Sequence, residues 1–507
     1  MQAVSAWLSV RDEGTISILG THTARTLMMN EMTMIVILST ICALVKFVTI
    51  KSINDVLAPR KKIRLNARSV LLVLVYVLFV VAYLVVNLSI YQSLVLLTVI
   101  SALHLLLSKV QWSRWLLLGF FFPLVIVAIS QVPNGTDLWI YHTYGRIIVE
   151  HGDNPFVAVP DDYPNDVVMQ RVLPMYRTEP SIYGPVFVLG AGGIAAVVGD
   201  SDSGGRLAWQ FASCIAVLCS AYLLHKRSTL RTLSLFLLSP ITLYLVVHQA
   251  HNDVFVGLSI LGACIMANKN RHIAASLCFS IAALMKIPSA IALVVLVLWL
   301  LMNRQVRDGV QAVFTALVTA AVFLIPFGGR APIVSMLSSN NHVNATSIWN
   351  SVRGDWESFI FRPLREASER ASHLVSFASI VLVLCIAIIG TWKLRHQPVH
   401  YSVSVVLLGY IVFALHPSAW YYAWVLPLAC LWDRREQLMI FGLSSLYFLT
   451  TQAWLMPVAA QLQGEGGLQV IDRLGAPLLG GVALLGVFVI LRLISVAGNG
   501  DDQLTQY

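Results

Sequence analysis

The sequence predicts an all-α polytopic membrane protein, a bundle of about 13–15 transmembrane helices with one large external loop carrying interfacial helices. Two observations predict this class. Of 507 residues, 57% are hydrophobic and only 12% are charged, against roughly 25% charged in soluble domains. The apolar residues also fall in repeated runs of about 20, the length a helix needs to cross the hydrocarbon core. The net charge of +9 does not point to nucleic acid, because most Lys and Arg residues sit in short loops between apolar runs, where they set topology. No nucleic-acid partner is expected; the partner that composition implies is a lipid bilayer.

Residues 1–31 are mixed and polar and carry no A-x-A-like cleavage site, so no cleavable signal is expected there. Met28, Met29 and Met32 offer alternative starts. Apolar runs follow at 32–50, 69–88, 91–108 and 115–132, then at 207–224, 230–247, 253–268, 272–286, 288–302 and 309–326, and finally at 372–391, 399–415, 417–432, 437–455 and 475–495. Four parts result: an N-terminal segment (1–31), extra N-terminal membrane helices (32–114), a membrane core (115–435) with an external loop (133–206), and C-terminal helices with a tail (436–507). The seven cysteines, Cys42, Cys214, Cys219, Cys264, Cys278, Cys385 and Cys430, all lie inside apolar segments. They are expected to be small buried hydrophobes, not a disulfide or metal framework.

Loop charges orient the runs. Lys51, Arg60, Lys61, Lys62, Arg64 and Arg68 fill one loop. Later short loops carry Lys109 and Arg114; Lys226, Arg227 and Arg231; Lys269 and Arg271; Arg304 and Arg307; Lys393 and Arg395; Arg434 and Arg435. One alternating path keeps all of these on the cytoplasmic side of a cytoplasmic membrane. It leaves 133–206, 327–371 and 456–474 outside. The scheme depends on residues 184–199, which are apolar but short and glycine-rich; they are expected to form an interfacial or re-entrant helix. A full span there would reverse every later loop.

Four polar clusters then fall at the outer ends of helices. Asp137 opens the first, with Trp139, Tyr141, Tyr144 and Arg146. A carboxylate there can serve as a general base or merely pair with Arg146. His248, His251, Asn252 and Asp253 form the second. The two histidines, three apart, could share a helix face, while Asp253 reads as a helix-start acid favoured by the dipole. The third is Lys286 with Pro288, where a helix break would turn the ammonium toward the site. The fourth holds His416, Pro417, Trp420, Tyr421, Tyr422 and Trp424, either an interfacial belt or a platform for sugar or isoprenoid. The amide- and Trp-bearing loop 340–357 suits carbohydrate hydroxyls equally well as solvent. No Gly-rich phosphate loop occurs. No cofactor is expected; His248, His251 and Asp253 are suitable ligands for a divalent metal, but H-x-x-H spacing alone is weak evidence for one.

These pieces resemble a family. Asp137…Tyr141…Tyr144-Gly145, then Gly152-Asp153-Asn154-Pro155-Phe156 and Ile182-Tyr183-Gly184-Pro185, are similar to the first external loop of GT-C glycosyltransferases, polytopic enzymes that use polyprenyl-phosphate sugars. His251-Asn252-Asp253, Lys286-Ile287-Pro288 and Pro417…Trp420-Tyr421…Trp424…Pro427 resemble later landmarks of the glycosyltransferase 87-like and actinobacterial polyprenol-phosphate mannosyltransferases. The likeness spans roughly residues 115–435 and departs from the family at Gly184-Pro185, where a proline pair is usual. It implies inverting transfer of a hexose, with mannose the first choice, from a polyprenyl-phosphate donor to a lipid-linked or cell-envelope glycan acceptor on the extracytoplasmic side. It also implies roles. Asp137 becomes the base, with Asp153 as its competitor. His251, Asn252, Lys286 and His248 become donor-phosphate ligands. Tyr141, Tyr144, Arg146, Asp153, Tyr183, His416, Trp420 and Tyr421 become sugar or substrate contacts. Two readings compete: a transporter or flippase for a lipid-linked sugar, and a non-catalytic scaffold of the same fold. A transporter predicts charges near the membrane midplane and paired broken helices, whereas the clusters here gather on one side.

Overall fold

A computed structural model describes residues 67–86, 90–133, 137–338, 347–349, 367–415, 417–451 and 476–498. The expectations for residues 1–31, for the run 32–50, for loop 340–357 except 347–349, for loop 456–474 and for His416 lie outside them. The described part is all helix, with no strand among these residues. Its α-helices are α1 Ala67–Val85, α2 Ile90–Leu106, α3 Arg114–Ser130, α4 Asp137–Val149, α5 Pro174–Arg177, α6 Pro185–Val198, α7 Asp202–Leu224, α8 Leu230–Leu237, α9 Asp253–Ala267, α10 His272–Met285, α11 Ala290–Met302, α12 Val306–Leu324, α13 Arg330–Ser338, α14 Ala367–Lys393, α15 Val399–Phe413, α16 Tyr422–Ala429, α17 Arg434–Phe448 and α18 Ala476–Gly498. Every apolar run from 69 onward holds a helix, because in lipid the backbone must bond to itself.

By length and composition, α7, Val306–Phe327 and Leu374–Lys393 are each long and apolar enough to cross a membrane. Their outward faces carry large apolar side chains, among them Phe211, Ile215, Phe314, Leu317, Phe377 and Ile380, as a lipid-facing surface would. The chain is a multi-pass membrane protein. The run 230–247 differs from a straight span. It is a bent pair, α8 followed by a π-helix at Ile241–His248, with 50° between them. Pro240 supplies the break, since it has no N–H to continue the ladder, and the Ser239 hydroxyl instead accepts from Ile241 N. The cysteine expectation also needs correction. Cys214, Cys264 and Cys430 are buried, but Cys219 and Cys385 are exposed, on helix faces that an apolar solvent can cover.

The segment 184–199 forms α6, 14 residues long. That is about 21 Å of helix, short of a hydrocarbon core of about 30 Å. It packs against α4 and α10, with Phe187 edge-on to Tyr141 at 5.1 Å. The loop between α3 and α7 therefore folds onto the bundle around α4, most of whose side chains are buried.

Candidate active site

Four helix boundaries build the site. Asp137 is the first residue of α4, where a helix dipole favours a carboxylate. Tyr141 and Tyr144 follow at i+4 and i+7, on the same face. The second element is the break between the π-helix and α9. π-Helices recur at functional sites, and here Ala250, a buried non-glycine residue, takes φ +57°. Such a backbone costs on the order of 1–3 kcal/mol and is held only by its surroundings. It also separates the two histidines, which were expected to share a face. His248 turns into the bundle, its Nδ1 2.9 Å from Ala128 O. His251 turns to the site and stacks on Trp420 at 4.1 Å and 14°.

The third element is the end of α10. The helix stops at Met285 and Lys286 is extended, ahead of a 3-10 turn over Ile287–Ser289. The fourth is the 3-10 turn Ala419–Tyr421, which feeds α16. Two glycines allow these pieces to meet. A Cβ on Gly184 would lie 2.0 Å from Leu284 O, and one on Gly257 would lie 2.2 Å from Ala423 O. The first contact seats Tyr183 against the end of α10, aided by a Gly184 N to Met285 O hydrogen bond of 2.9 Å. The second presses α9 onto α16.

At the centre lie two acid–base pairs. Asp137 Oδ2 is 3.4 Å from His251 Nδ1, with 30% of the Asp137 side chain exposed. Lys286 Nζ donates to both oxygens of Asp253 at 3.0 Å, and that carboxylate is fully buried. Lys286 also sits over the Tyr421 ring at 4.5 Å, with Tyr183 at 5.9 Å and Trp424 at 6.0 Å, a cation–π cage. Tyr141 OH and Asn252 meet at 3.5 Å, through both Asn252 Oδ1 and Asn252 N. Tyr183 stands edge-on to Tyr141 at 5.1 Å, and Tyr144 OH donates to Glu179 O and Pro180 O, fixing the strand of chain that carries Tyr183.

Burial pushes the Asp137 carboxyl up, but the His251 contact and the charges of His251 and Lys286 outweigh it and hold the group below its ordinary value. Asp137 is therefore ionised and able to accept a proton. Asn252 Nδ2 and Trp424 Nε1 are buried with no protein acceptor, and His251 Nδ1 makes no well-aligned hydrogen bond. Buried donors without partners are uncommon; of these, Trp424 belongs to the cage around Lys286, and Asn252 directly precedes the Lys286 counter-ion Asp253.

The structure thus brings together Asp137, Tyr141, Tyr183, His251, Asn252, Lys286, Trp420 and Tyr421. Three other candidates lie apart. His248 faces α3. Arg146 pairs with Asp166 and Asp200 at 2.9 and 2.7 Å. Asp153 accepts from Tyr163 OH at 2.7 Å. Asp253 was read from the sequence as a helix-start acid; it is the counter-ion of Lys286. A buried lysine needs such a partner, and Asp253 was the acid at the matching helix end.

Residues 182–457 match the profile of glycosyltransferase family 87. The chain belongs to that family. Residues 29–303 also match the alpha-(1->6)-mannopyranosyltransferase N-terminal domain; the two matches overlap over 182–303 of this family 87 chain, which holds Tyr183, His251, Asn252, Asp253 and Lys286, whereas Asp137 and Tyr141 fall in the 29–303 match alone and Trp420 and Tyr421 in the 182–457 match alone. Alpha-(1->6)-mannopyranosyltransferase A of Mycobacterium tuberculosis is 25% identical over 332 residues, which cover 61% of this chain and 64% of that relative. The match thus spans just under two thirds of the relative's own length.

Proposed function

We propose that this protein is an inverting membrane glycosyltransferase. It moves mannose from a polyprenyl-phosphate donor to a lipid-linked or cell-envelope glycan on the extracytoplasmic face of the cytoplasmic membrane. The observation that carries the reading is the convergence of an ionised, partly exposed Asp137 with a donor-rich patch formed by His251, Asn252 and Lys286. Family membership and the mannosyltransferase relative support the sugar. The loop charges support the side, and a lipid-phosphate donor suits a compartment without nucleotide sugars.

In the proposed step the acceptor hydroxyl oxygen bonds to the anomeric carbon as its proton passes to Asp137. The bond from that carbon to the phosphate oxygen breaks on the opposite face, and polyprenyl phosphate leaves with the electron pair. Negative charge grows on the leaving phosphate, so preplaced donors stabilise the transition state more than the ground state. Lys286 supplies a compact charge and Asn252 Nδ2 and Trp424 Nε1 supply N–H groups. Trp420 and Tyr421 offer flat surfaces to sugar or chain.

The test is transfer from radiolabelled polyprenyl-phosphate mannose to glycan acceptors by the purified chain in lipid, with and without a chelator. Transfer that disappears in Asp137→Asn supports the proposal. Normal transfer in that variant removes Asp137 as the base, and movement of intact lipid-linked sugar across the bilayer without transfer would favour a flippase. Loss of activity on chelation would add a metal to the site.

A further inference from the structure

A second concavity, of about 480 Å³, lies on the far side of α4. Arg146, His151, Asp162, Tyr163, Asn165 and Asp200 contribute to its lining. The volume falls within the roughly 300–1,000 Å³ usual for small-molecule sites. Arg146 is nine residues beyond Asp137. At 3.6 residues per turn and 1.5 Å per residue, that places it about 13.5 Å further along the helix and about half a turn round.

The lining is preorganised. Asp166, with only 4% of its side chain exposed, holds Arg146 and His151 at 2.9 and 3.0 Å. It also accepts from Val168 N at 2.9 Å. His151 in turn stacks on Tyr163 at 3.9 Å and 18°. Arg146 Nη1, on a side chain only 6% exposed, meets the exposed Asp200 carboxylate at 2.7 Å, yet makes no aligned hydrogen bond. Acceptors stand beside it in Asp200 and in Asp162, whose Oδ2 already takes Val159 N.

Charge narrows the ligand. One Arg against Asp162, Asp166 and Asp200 leaves the lining net negative, which disfavours phosphates. Among the described residues no group of three or more His, Cys, Asp or Glu is placed to hold a metal ion. A ligand whose groups both donate and accept fits alternating guanidinium, amide and carboxylate, and the Tyr163–His151 stack adds a flat wall. We infer that this concavity binds a neutral oligosaccharide, the part of the acceptor glycan remote from the bond being made. The choice of a glycan rests on the transferase reading above.

The experiment measures binding without turnover. The full chain carrying Asp137→Asn, in lipid nanodiscs, is titrated with α-(1→6)-linked mannotetraose. The same titration follows after adding Asp162→Asn with Asn165→Ala, and separately Tyr163→Ala; all keep Arg146, His151 and Asp166, and thermal melting confirms intact folding. Binding at least fivefold weaker in both variants, with no displacement by inorganic phosphate, supports the site. Equal affinity in parent and variants, no binding by the parent, or displacement by phosphate overturns it. The transfer assay stands apart: an Asp137 protein that binds the tetraose but transfers nothing breaks the proposed function and leaves this site intact.

Discussion

Two acid–base pairs, built from similar groups, sit side by side and differ in almost every physical respect. Lys286 and Asp253 are closed: two hydrogen bonds of 3.0 Å, a fully buried carboxylate and three aromatic rings around the ammonium. Asp137 and His251 are open: a single 3.4 Å contact with nearly a third of the carboxylate exposed. A charge that must stay fixed is best locked by a partner and a low-dielectric wall. A group that must exchange a proton needs a loose partner and a path to the other reactant. On this contrast rests the proposal that Asp137 is the reacting carboxylate and Asp253 a positioning one.

The largest expected effect breaks the open pair. Asp137→Asn keeps the shape and removes the proposed base, and turnover should fall about 10²–10⁴-fold with the protein still folded in the membrane, as measured by initial rates and thermal melting.

Breaking the closed pair should show first as instability. Asp253→Ala or Lys286→Ala leaves a buried charge alone, at a cost of about 3–5 kcal/mol, read as a lower melting temperature. Lys286→Arg keeps the charge and should melt close to the parent, so a change in donor KM there would isolate the phosphate role. A full loss of stability with the double change Asp253→Asn and Lys286→Met would contradict the pairing argument, since neither partner is then left charged.

Smaller effects sharpen the open pair. Trp420→Leu removes the face on which His251 stacks, worth about 0.5–1.5 kcal/mol beyond burial, and should lower activity threefold to tenfold. The smallest effect is on pH. Because Asp137 is held below the ordinary aspartate value of about 3.9, it stays ionised as pH falls past that value. The stability its pairing contributes is present above the unfolded value and lost only as pH drops through the lower folded one. No acid limb from this carboxylate is expected above pH about 4. In His251→Gln the imidazole contact that helps hold the carboxyl down is gone while burial remains, and the limb in kcat/KM should move to higher pH.

Much of this was legible in the chain. Asp137 stood out as an acid after a long apolar run, and Lys286 as a lysine at the end of one. Pro288 marked the break that frees the Lys286 backbone. Residues 184–199 were too short and glycine-rich for a span, and they form a 14-residue helix packed on α4. The sequence misplaced other residues for identifiable reasons. His248 and His251 fit one helix face by spacing, but the π-helix and the positive φ at Ala250 part them. Arg146 and Asp153 lie near Asp137 in the chain, yet helix rotation and the following loop carry them to a different cluster.

By itself the sequence determined the membrane class, the helix order and the list of polar groups available at helix ends. Those follow from local properties: apolar run length, the charge of short loops and the residues that stop a helix. Which of those groups meet was decided by tertiary structure. Asp137 meets His251, and Asp253 meets Lys286, across segments far apart in the chain, and around them Gly184 and Gly257 let the end of α10 and α16 approach where a Cβ would collide with a carbonyl oxygen. Close packing between distant segments sets those pairs, and spacing along one chain carries no record of it.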